Sequence, residues 1–205
     1  MAIKVKICGI TNLQDAKAAV DLGADILGFN FYPPSPRFIS PDEALEIINK
    51  LPTFVDIAAV FVNAQVEQIK GLTEQGFFNW IQLHGDETPG FCDSLQWFNV
   101  KTIKAIRVKD SDAVKVASNY YTDAVLLDAF NPKKYGGTGE TFDWNIIRNI
   151  GKRIFLAGGL NPDNAARAVE IGVYGIDACS GLEAEPGKKD YKKMKKFFKN
   201  IEHVR

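Results

Sequence analysis

The segment IFLAGGLNPDNAARAVEIGVYGIDACSG, residues 154–181, contains the pattern that decides the fold. A short apolar strand at 154–156 is followed by two glycines, and Asn161-Pro162-Asp163 then supplies residue types that begin helices. The helical segment ends at Gly172, a suitable C-terminal capping residue, and leads into a second strand at 175–178. These residues therefore predict one strand–helix–strand unit of a parallel sheet.

The same pattern recurs on both sides of this segment. Ser40-Pro41-Asp42-Glu43 repeats the helix-start signal, and Gly23 and Gly76 follow helical segments as Gly172 does. Eight units of roughly 25 residues fit the 205 residues of the chain. We therefore predict an α/β fold, a single (βα)8 TIM barrel that occupies residues 1–205 as one domain. The predicted strands are 3–8, 26–31, 55–62, 80–83, 102–106, 124–127, 154–156 and 175–178, and the clearest helices are 13–22, 41–51, 64–75 and 161–171.

The main alternative fold is a doubly wound open sheet. That fold often carries a glycine-rich dinucleotide-binding turn after its first strand. The corresponding residues here are Cys8-Gly9-Ile10-Thr11, which contain one glycine only. The sequence therefore favours the barrel.

Composition and charge exclude several classes of protein. The chain is 46% hydrophobic and 24% charged, with a formal net charge of +0, so neither a nucleic-acid partner nor an anionic membrane surface is expected. We find no secretory leader and no apolar run of membrane-spanning length, and we expect a cytoplasmic protein. The Lys-rich stretch at 188–199 predicts a final helix with a solvated face. Its predicted inner face consists of Tyr191, Met194, Phe197 and Phe198.

The chain has three cysteines, Cys8, Cys92 and Cys179, which lie far apart in the sequence. They form no CxxC pair and no cluster with histidine, so we expect neither a disulfide framework nor a metal site. Cys8 ends the first predicted strand, where its sulfur either faces the barrel mouth as a reactive thiolate or lies buried as a small core residue. We interpret Cys92 and Cys179 as structural residues.

The active site of a (βα)8 barrel lies at the carboxyl ends of its strands. Asp128 follows the apolar strand at 124–127, and desolvation there favours a carboxyl group that acts as an acid. A carboxylate that caps the next loop is the alternative. The following residues, 131–139, are rich in glycine and predict either a lid over the site or an uninvolved surface loop.

Two consecutive loops predict a phosphate site. Gly158 and Gly159 follow the seventh strand, and Asp177, Ser180 and Gly181 accompany the eighth. Glycines let backbone amides approach an anion, and barrels commonly bind phosphate at these two loops. Each glycine pair taken alone would also fit a tight turn without a ligand.

Arg37 and His84 are two further candidates for substrate binding. The prolines around Arg37 stiffen a loop that could hold its guanidinium for bidentate recognition of a carboxylate, although a surface arginine is also consistent. His84 either binds substrate or satisfies a loop carbonyl. His203 is expected to be solvated.

With these residues placed, the chain resembles the phosphoribosylanthranilate isomerase family of tryptophan biosynthesis over essentially its full length. The resemblance rests on six blocks in family order. They are Lys6-Ile7-Cys8-Gly9-Ile10-Thr11; Gly28-Phe29 with Ser35-Pro36-Arg37; Gln82-Leu83-His84-Gly85; Leu127-Asp128 with Gly136-Gly137-Thr138-Gly139; Ala157-Gly158-Gly159-Leu160-Asn161; and Ser180-Gly181-Leu182-Glu183 with Gly187-Lys188-Lys189-Asp190.

The resemblance implies an Amadori rearrangement of N-(5-phosphoribosyl)anthranilate to 1-(2-carboxyphenylamino)-1-deoxyribulose 5-phosphate, without cofactor or metal. It implies that Asp128 is the general acid, that Cys8 is the general base and that Arg37 binds the anthranilate carboxylate. The phosphate would bind the amides around Gly158, Gly159, Ser180 and Gly181, while Asp177 would contact substrate or support its loop. Most such barrels are monomers, so a monomer is expected rather than a homodimer.

Three features depart from the family pattern: Asn30 replaces an apolar residue, the loop before Arg37 has an extra proline, and Ala178-Cys179 replaces Val-Ser. Two other functions compete. Indole-3-glycerol phosphate synthase would use a catalytic lysine and glutamate at strand ends, whereas Lys4 and Lys6 lie within the first strand. A non-catalytic phosphometabolite-binding barrel would not need Cys8 or Asp128.

Overall fold

The computed structural model describes residues 3–95, 98–132, 135–137, 139–147 and 151–204. Eight parallel strands follow one another in sequence order and close into a barrel in which β8 pairs with β1. The predicted (βα)8 barrel is therefore confirmed, and the open sheet is not formed. The strands are β1 Lys4–Cys8, β2 Ile26–Asn30, β3 Asp56–Phe61, β4 Trp80–Leu83, β5 Lys101–Val108, β6 Ala124–Ala129, β7 Arg153–Leu156 and β8 Gly175–Ala178.

The helices surround the barrel and are generally shorter than the sequence pattern predicts. Ser40 and Glu43 form the predicted capping box at the start of α2. After β6 the described residues contain a 3₁₀ turn at Trp144–Ile146. The α-helices are α1 Leu13–Asp21, α2 Pro41–Ile48, α3 Val66–Thr73, α4 Pro89–Asp93, α5 Ser111–Val116, α6 Ala165–Glu170 and α7 Tyr191–Ile201.

The α6 helix begins at Ala165, four residues later than predicted, for a local reason. The side-chain amides of Asn161 and Asn164 each donate to the carbonyl oxygen of Gly159 at 3.0 Å. These asparagines therefore fold the chain back onto the glycine turn before the helix starts, and they hold that turn at the barrel rim.

A two-stranded antiparallel hairpin after β8 was not predicted. It consists of β9 Glu183–Glu185 and β10 Lys188–Lys189. The hydroxyl of Thr11 donates to the carbonyl oxygen of Gly187, which ties the hairpin to the loop after β1. This hairpin brings Glu183 and Lys189 to the rim of the barrel.

The core has two parts, one inside the barrel and one between the sheet and its helices. The interior cluster includes Ala58, Leu126 and Phe155, and the larger outer cluster includes the inner face of α7. Tyr191 is 54% exposed, so the prediction that it lies on that face was wrong. It is the first residue of α7, one turn before Met194, where burial begins. None of the described helices combines the length and the apolar character that a bilayer crossing requires.

Candidate active site

A cavity of about 350 Å³ opens at the carboxyl ends of the strands. It brings together nearly all of the residues that the sequence predicted to be catalytic or to bind substrate. Gly181 is the exception: it packs so closely against the carbonyl oxygen of Leu160 that a side chain would not fit, and it thereby lets the last two loops approach. The nominated residues that line the cavity are Cys8, Arg37, His84, Asp128, Gly158, Gly159, Asp177 and Ser180.

Cys8 is the last residue of β1, and its side chain shares the barrel interior with Lys6. A β-carbon at Gly28 on the neighbouring strand would lie 2.8 Å from the sulfur of Cys8 and 2.9 Å from Nζ of Lys6. The glycine therefore leaves space for both side chains. Sequence analysis placed Lys6 within the strand and gave it no role.

Lys6 forms a fully buried ion pair with Asp177 on β8, with 3.0 Å between Nζ and Oδ1. Burial opposes the positive charge of Lys6, but the negative charges of Asp177 and Cys8 outweigh it and raise the pKa of the ammonium. Burial raises the pKa of Asp177 to about 6, although Lys6 counteracts it. Asp177 thus supports the lysine beside Cys8, and it also lines the cavity.

The second thiol of the site belongs to Cys179, which follows β8. A hydrogen bond from the Cys179 thiol lowers the pKa of Cys8 well below its usual range, with help from Lys6 and against the effect of burial. Donating that bond raises the pKa of Cys179. Cys179 is partly exposed and lines the cavity. The sequence, which favoured a structural residue here, did not predict this position; the chain closure between β1 and β8 places Cys179 beside Cys8.

The carboxyl group of Asp128 lies on β6 within a chain of hydrogen-bonding groups. Its Oδ1 accepts from the amide of Ala129 at 2.9 Å, and its Oδ2 lies 3.1 Å from Nε2 of His84. Nδ1 of His84 lies 2.8 Å from the side-chain amide of Gln82. The two ring nitrogens therefore face Gln82 and Asp128 rather than a loop carbonyl.

Arg37 is held at the rim by a carboxylate that sequence analysis did not nominate. Its Nε lies 2.9 Å from Oε1 of Glu183, and its Nη2 lies 2.7 Å from Oε2. Burial alone would raise the pKa of Glu183, but the hydrogen bonds from Arg37 and the charge of Lys189 lower it. Glu183 and Lys189 belong to the last of the six family-like blocks, which was the signal that could have identified them.

Asn30, one of the departures from the family pattern, supports the loop that carries Arg37. Its side-chain oxygen accepts from the amide of Tyr32 at 2.9 Å, and its amide donates to the hydroxyl of Ser35 at 3.2 Å. The same hydroxyl accepts from the backbone amide of Arg37 at 3.1 Å. The polar residue at position 30 therefore orders the proline-rich loop.

The glycine-rich loop at 131–139 packs over the site where it is described; Lys133, Lys134 and Thr138 lie outside the described residues. Gly136 has φ +76°, and a β-carbon there would lie 2.9 Å from Nε2 of His84 and 3.0 Å from Oδ2 of Asp128. A β-carbon at Gly137 would lie 2.6 Å from Nη1 of Arg37. Both positions require glycine because φ is positive and a β-carbon would clash with these polar groups.

The chemistry available in the cavity is acid–base chemistry. It contains a thiol whose pKa is lowered, a carboxyl group bonded to a histidine, and a fixed arginine. Among the described residues, no three His, Cys, Asp or Glu side chains are grouped as a metal site would require.

Comparison with known proteins gives one consistent result. The family model for N-(5'-phosphoribosyl)anthranilate (PRA) isomerase matches residues 5–200. The N-(5'-phosphoribosyl)anthranilate isomerase of Trichlorobacter lovleyi is 46% identical over 98% of this chain and 99% of its own length. That of Pelobacter propionicus is 45% identical over 99% of this chain and 97% of its own length.

Solved structures agree with the sequence relatives. The crystal structure of phosphoribosyl anthranilate isomerase from Thermotoga maritima superposes with a TM-score of 0.92, at 41% identity, over 98% of this chain and all of the other. A phosphoribosyl anthranilate isomerase in complex with reduced 1-(o-carboxyphenylamino)-1-deoxyribulose 5-phosphate has a TM-score of 0.88 at 39% identity, and the match covers 98% of this chain and 100% of that one.

Proposed function

The chain belongs to the N-(5'-phosphoribosyl)anthranilate isomerase family, and from this membership we propose how its cavity performs the reaction. The enzyme is an aldose–ketose isomerase of tryptophan biosynthesis. It converts N-(5'-phosphoribosyl)anthranilate to 1-(o-carboxyphenylamino)-1-deoxyribulose 5-phosphate. Membership excludes indole-3-glycerol phosphate synthase and a non-catalytic binding barrel as functions of this chain.

The proposal rests on one observation: Cys8 and Asp128 line the same cavity, and each has its own supporting groups. The reaction needs an acid on the ring oxygen of the ribose and a base on the proton at C2. Because the two groups come from different strands of one rim, they can act on separated atoms of a single bound substrate.

Asp128 is the general acid in this mechanism. As it protonates the ring oxygen, the furanose opens and the anilino nitrogen becomes an iminium. Oδ2 of Asp128 can donate to Nε2 of His84 when the ring carries its hydrogen on Nδ1. Within the described structure, the buried Oε1 of Gln82 has no partner. Rotation of the Gln82 amide would place this oxygen on Nδ1 and select that tautomer.

Cys8 is the general base. Its thiolate removes the proton from C2 and leaves an enolamine, which becomes the ketone when C1 receives a proton and the hydroxyl group on C2 loses one. Lys6 provides a buried positive charge beside the sulfur, and Cys179 donates a hydrogen bond to it. Both interactions favour the thiolate, the form that accepts the proton.

The remaining groups hold the two ends of the substrate. Glu183 fixes Nε and Nη2 of Arg37, and Nη1, beside Gly137, remains oriented for the anthranilate carboxylate. The phosphate binds the backbone around Gly158, Gly159, Ser180 and Gly181. His84 and Asp177 border the sugar. No cofactor or metal enters this scheme.

Substitution of the two proposed catalytic groups tests the mechanism. Cys8→Ser and Asp128→Asn should each reduce kcat/KM by roughly 10²- to 10⁴-fold, because each removes one proton-transfer group. Turnover is followed by the loss of fluorescence of freshly generated phosphoribosylanthranilate. Cys92→Ala is the matched control, since Cys92 lies buried in α4 away from the cavity lining. Undiminished turnover in either test variant would refute the role assigned to that residue.

We also propose that residues 1–205 act as one domain, as a monomer and in the cytoplasm. One structural neighbour, the isomerase from Thermotoga maritima, is described as dimeric.

A further inference from the structure

The two thiols of the active site lie where the barrel closes. Ile7 of β1 pairs with Ala178 of β8, so the next residues, Cys8 and Cys179, follow a registered pair of parallel strands. Neighbouring strands are separated by about 4.8 Å, and disulfides form between residues whose Cα atoms are about 4.4–6.8 Å apart. The side chains of both cysteines line the same cavity. The pair is therefore suitably placed for a disulfide.

Three cations and the two carboxylates that pair with them, Asp177 and Glu183, surround the two thiols, which leaves an excess of one positive charge. Lys6 lies beside Cys8, and Arg37 and Lys189 interact with Cys179. Nζ of Lys189 is 3.9 Å from the sulfur of Cys179 and 3.3 Å from its carbonyl oxygen. Positive surroundings favour thiolates, and accessible thiolates react with peroxides. Both cysteines line the open cavity, so a small oxidant can reach them.

We propose that hydrogen peroxide converts Cys8 and Cys179 into a reversible disulfide that switches the enzyme off. The loss of activity, as distinct from the disulfide itself, rests on the proposed role of Cys8 as the base. A cysteine in a disulfide has no thiolate with which to take the C2 proton.

The chemistry proceeds in two steps. In the first, the Cys8 thiolate attacks one peroxide oxygen, the O–O bond breaks, and the departing hydroxide is protonated to water while Cys8 becomes a sulfenic acid. In the second, the Cys179 thiolate attacks the sulfur of Cys8, the S–S bond forms, and the S–O bond breaks with release of another water. Two thiols thus lose two electrons, and one peroxide is reduced to two waters.

The surroundings of Cys179 suit it to the second step. Before oxidation, its hydrogen bond to Cys8 and its burial raise its pKa, while Lys189 and Arg37 oppose them. Oxidation of Cys8 removes its negative charge, while the two cations remain together with Glu183, whose Oε1 lies 3.9 Å from the sulfur of Cys179. Cys179 then becomes the thiolate that resolves the sulfenic acid before further oxidation occurs.

Cys92 provides an internal contrast. It is buried in α4, and burial raises its pKa to about 11. Such a thiol reacts slowly with peroxide because little of it is ionised. It is the natural control for selectivity.

The experiment treats the full-length reduced enzyme with hydrogen peroxide, blocks remaining thiols with N-ethylmaleimide, and maps the peptides by mass spectrometry. The expected product is a linked pair of peptides containing Cys8 and Cys179, with Cys92 alkylated. Turnover should fall at least tenfold and return with dithiothreitol. Cys92→Ala should behave in the same way.

Cys179→Ser tests the resolving thiol. The turnover of each oxidised preparation is compared with the turnover of the same variant before peroxide is added. Cys179→Ser should give no linked peptide, and excess peroxide should then carry Cys8 to sulfinic acid, which dithiothreitol does not reverse. Absence of the linked peptide from the wild-type enzyme would overturn the proposal, even if Cys8→Ser is inactive and the catalytic role stands. A linked enzyme with full turnover would overturn both the switch and the role of Cys8 as base.

Discussion

Two buried lysines on opposite walls of the barrel, Lys6 and Lys104, have different partners. Lys6 lies on β1 and has one carboxylate partner, Asp177, with the sulfur of Cys8 beside it. Lys104 lies on β5, where Nζ is 2.8 Å from Glu87. Its ammonium also donates to the carbonyl oxygens of Leu83, at 3.3 Å, and Gly85, at 2.7 Å.

The difference shows what distinguishes a structural charge from a functional one. Three oxygens accept from Lys104 and can satisfy its three donors, so it fixes the turn that follows His84. Lys6 shares its charge between Asp177 and Cys8. Since both lysines are buried, the acceptors around the ammonium, not burial, determine whether the charge acts on a reacting group.

The largest expected effect comes from removing each lysine in turn. Lys6→Met should lower kcat by about 10²-fold, because the Cys8 thiolate loses its cation. The hydrogen bond from Cys179 and the positive charges of Lys6 and Lys189 hold the pKa of Cys8 low, against the effect of burial. Removal of Lys6 should therefore move the acidic limb of the kcat/KM profile to higher pH. The pH dependence of steady-state turnover measures this displacement.

Lys104→Met is the matched control, and the unfolding midpoint in urea is measured alongside activity. Both variants leave a buried carboxylate unpaired and should lose about 3–5 kcal/mol of stability. Only Lys6→Met should move the acidic limb. If Lys104→Met displaced the acidic limb of the kcat/KM profile equally, Lys6 would not differ from Lys104 in its effect on Cys8.

Lys6 also shows which features of the site can be predicted from the sequence and which cannot. The barrel follows from local signals, since short apolar strands and capped helices alternate, and the rim positions of Cys8 and Asp128 follow from strand ends. The pairing of Lys6 with Asp177 spans 171 residues and exists only because β8 closes onto β1. A lysine within a strand carries no local sign of such a partner.

Two contacts at the rim of the barrel were also not predictable from the sequence. Glu183 reaches Arg37 through an unpredicted hairpin, and Cys179 approaches Cys8 through barrel closure. Both depend on contacts between distant segments, whereas periodicity and capping report neighbours within a few residues.

A third buried lysine, Lys189, acts on the substrate-binding arginine through Glu183, and the expected effect on activity is smaller than that of Lys6→Met. It pairs with Glu183 at 2.9 Å and stabilises the carboxylate that holds Arg37. Glu183→Gln should raise KM about tenfold, because Arg37 loses its bidentate partner, and should cost about 2 kcal/mol of stability at pH 7. Substrate saturation curves and urea unfolding measure the two effects.

The stability loss in Glu183→Gln should depend on pH with a defined sign. The pKa of Glu183 is lowered in the folded protein from its usual 4.5. The unfolded chain therefore binds the proton more readily, and the stabilisation present above pH 4.5 is lost as the pH falls through the folded-state pKa. The stability gap between wild type and variant should narrow below pH 4.5. A gap that stayed constant down to pH 3 would contradict this assignment.

The smallest expected effect concerns Gln82, which supports the proposed acid Asp128 through a hydrogen bond to His84 rather than through a charge. Gln82→Met removes the amide that faces Nδ1 of His84, and kcat should fall about tenfold, which is 1.4 kcal/mol in the barrier. Stability should fall by about 1 kcal/mol, because the buried Nδ1 of His84 loses the amide that faces it, although the variant also removes the buried Oε1, which has no partner within the described structure. The acidic limb set by Cys8 should stay in place, since Lys6 and Cys179 are untouched. A shift of that limb as large as in Lys6→Met would show that the two sides of the site titrate together.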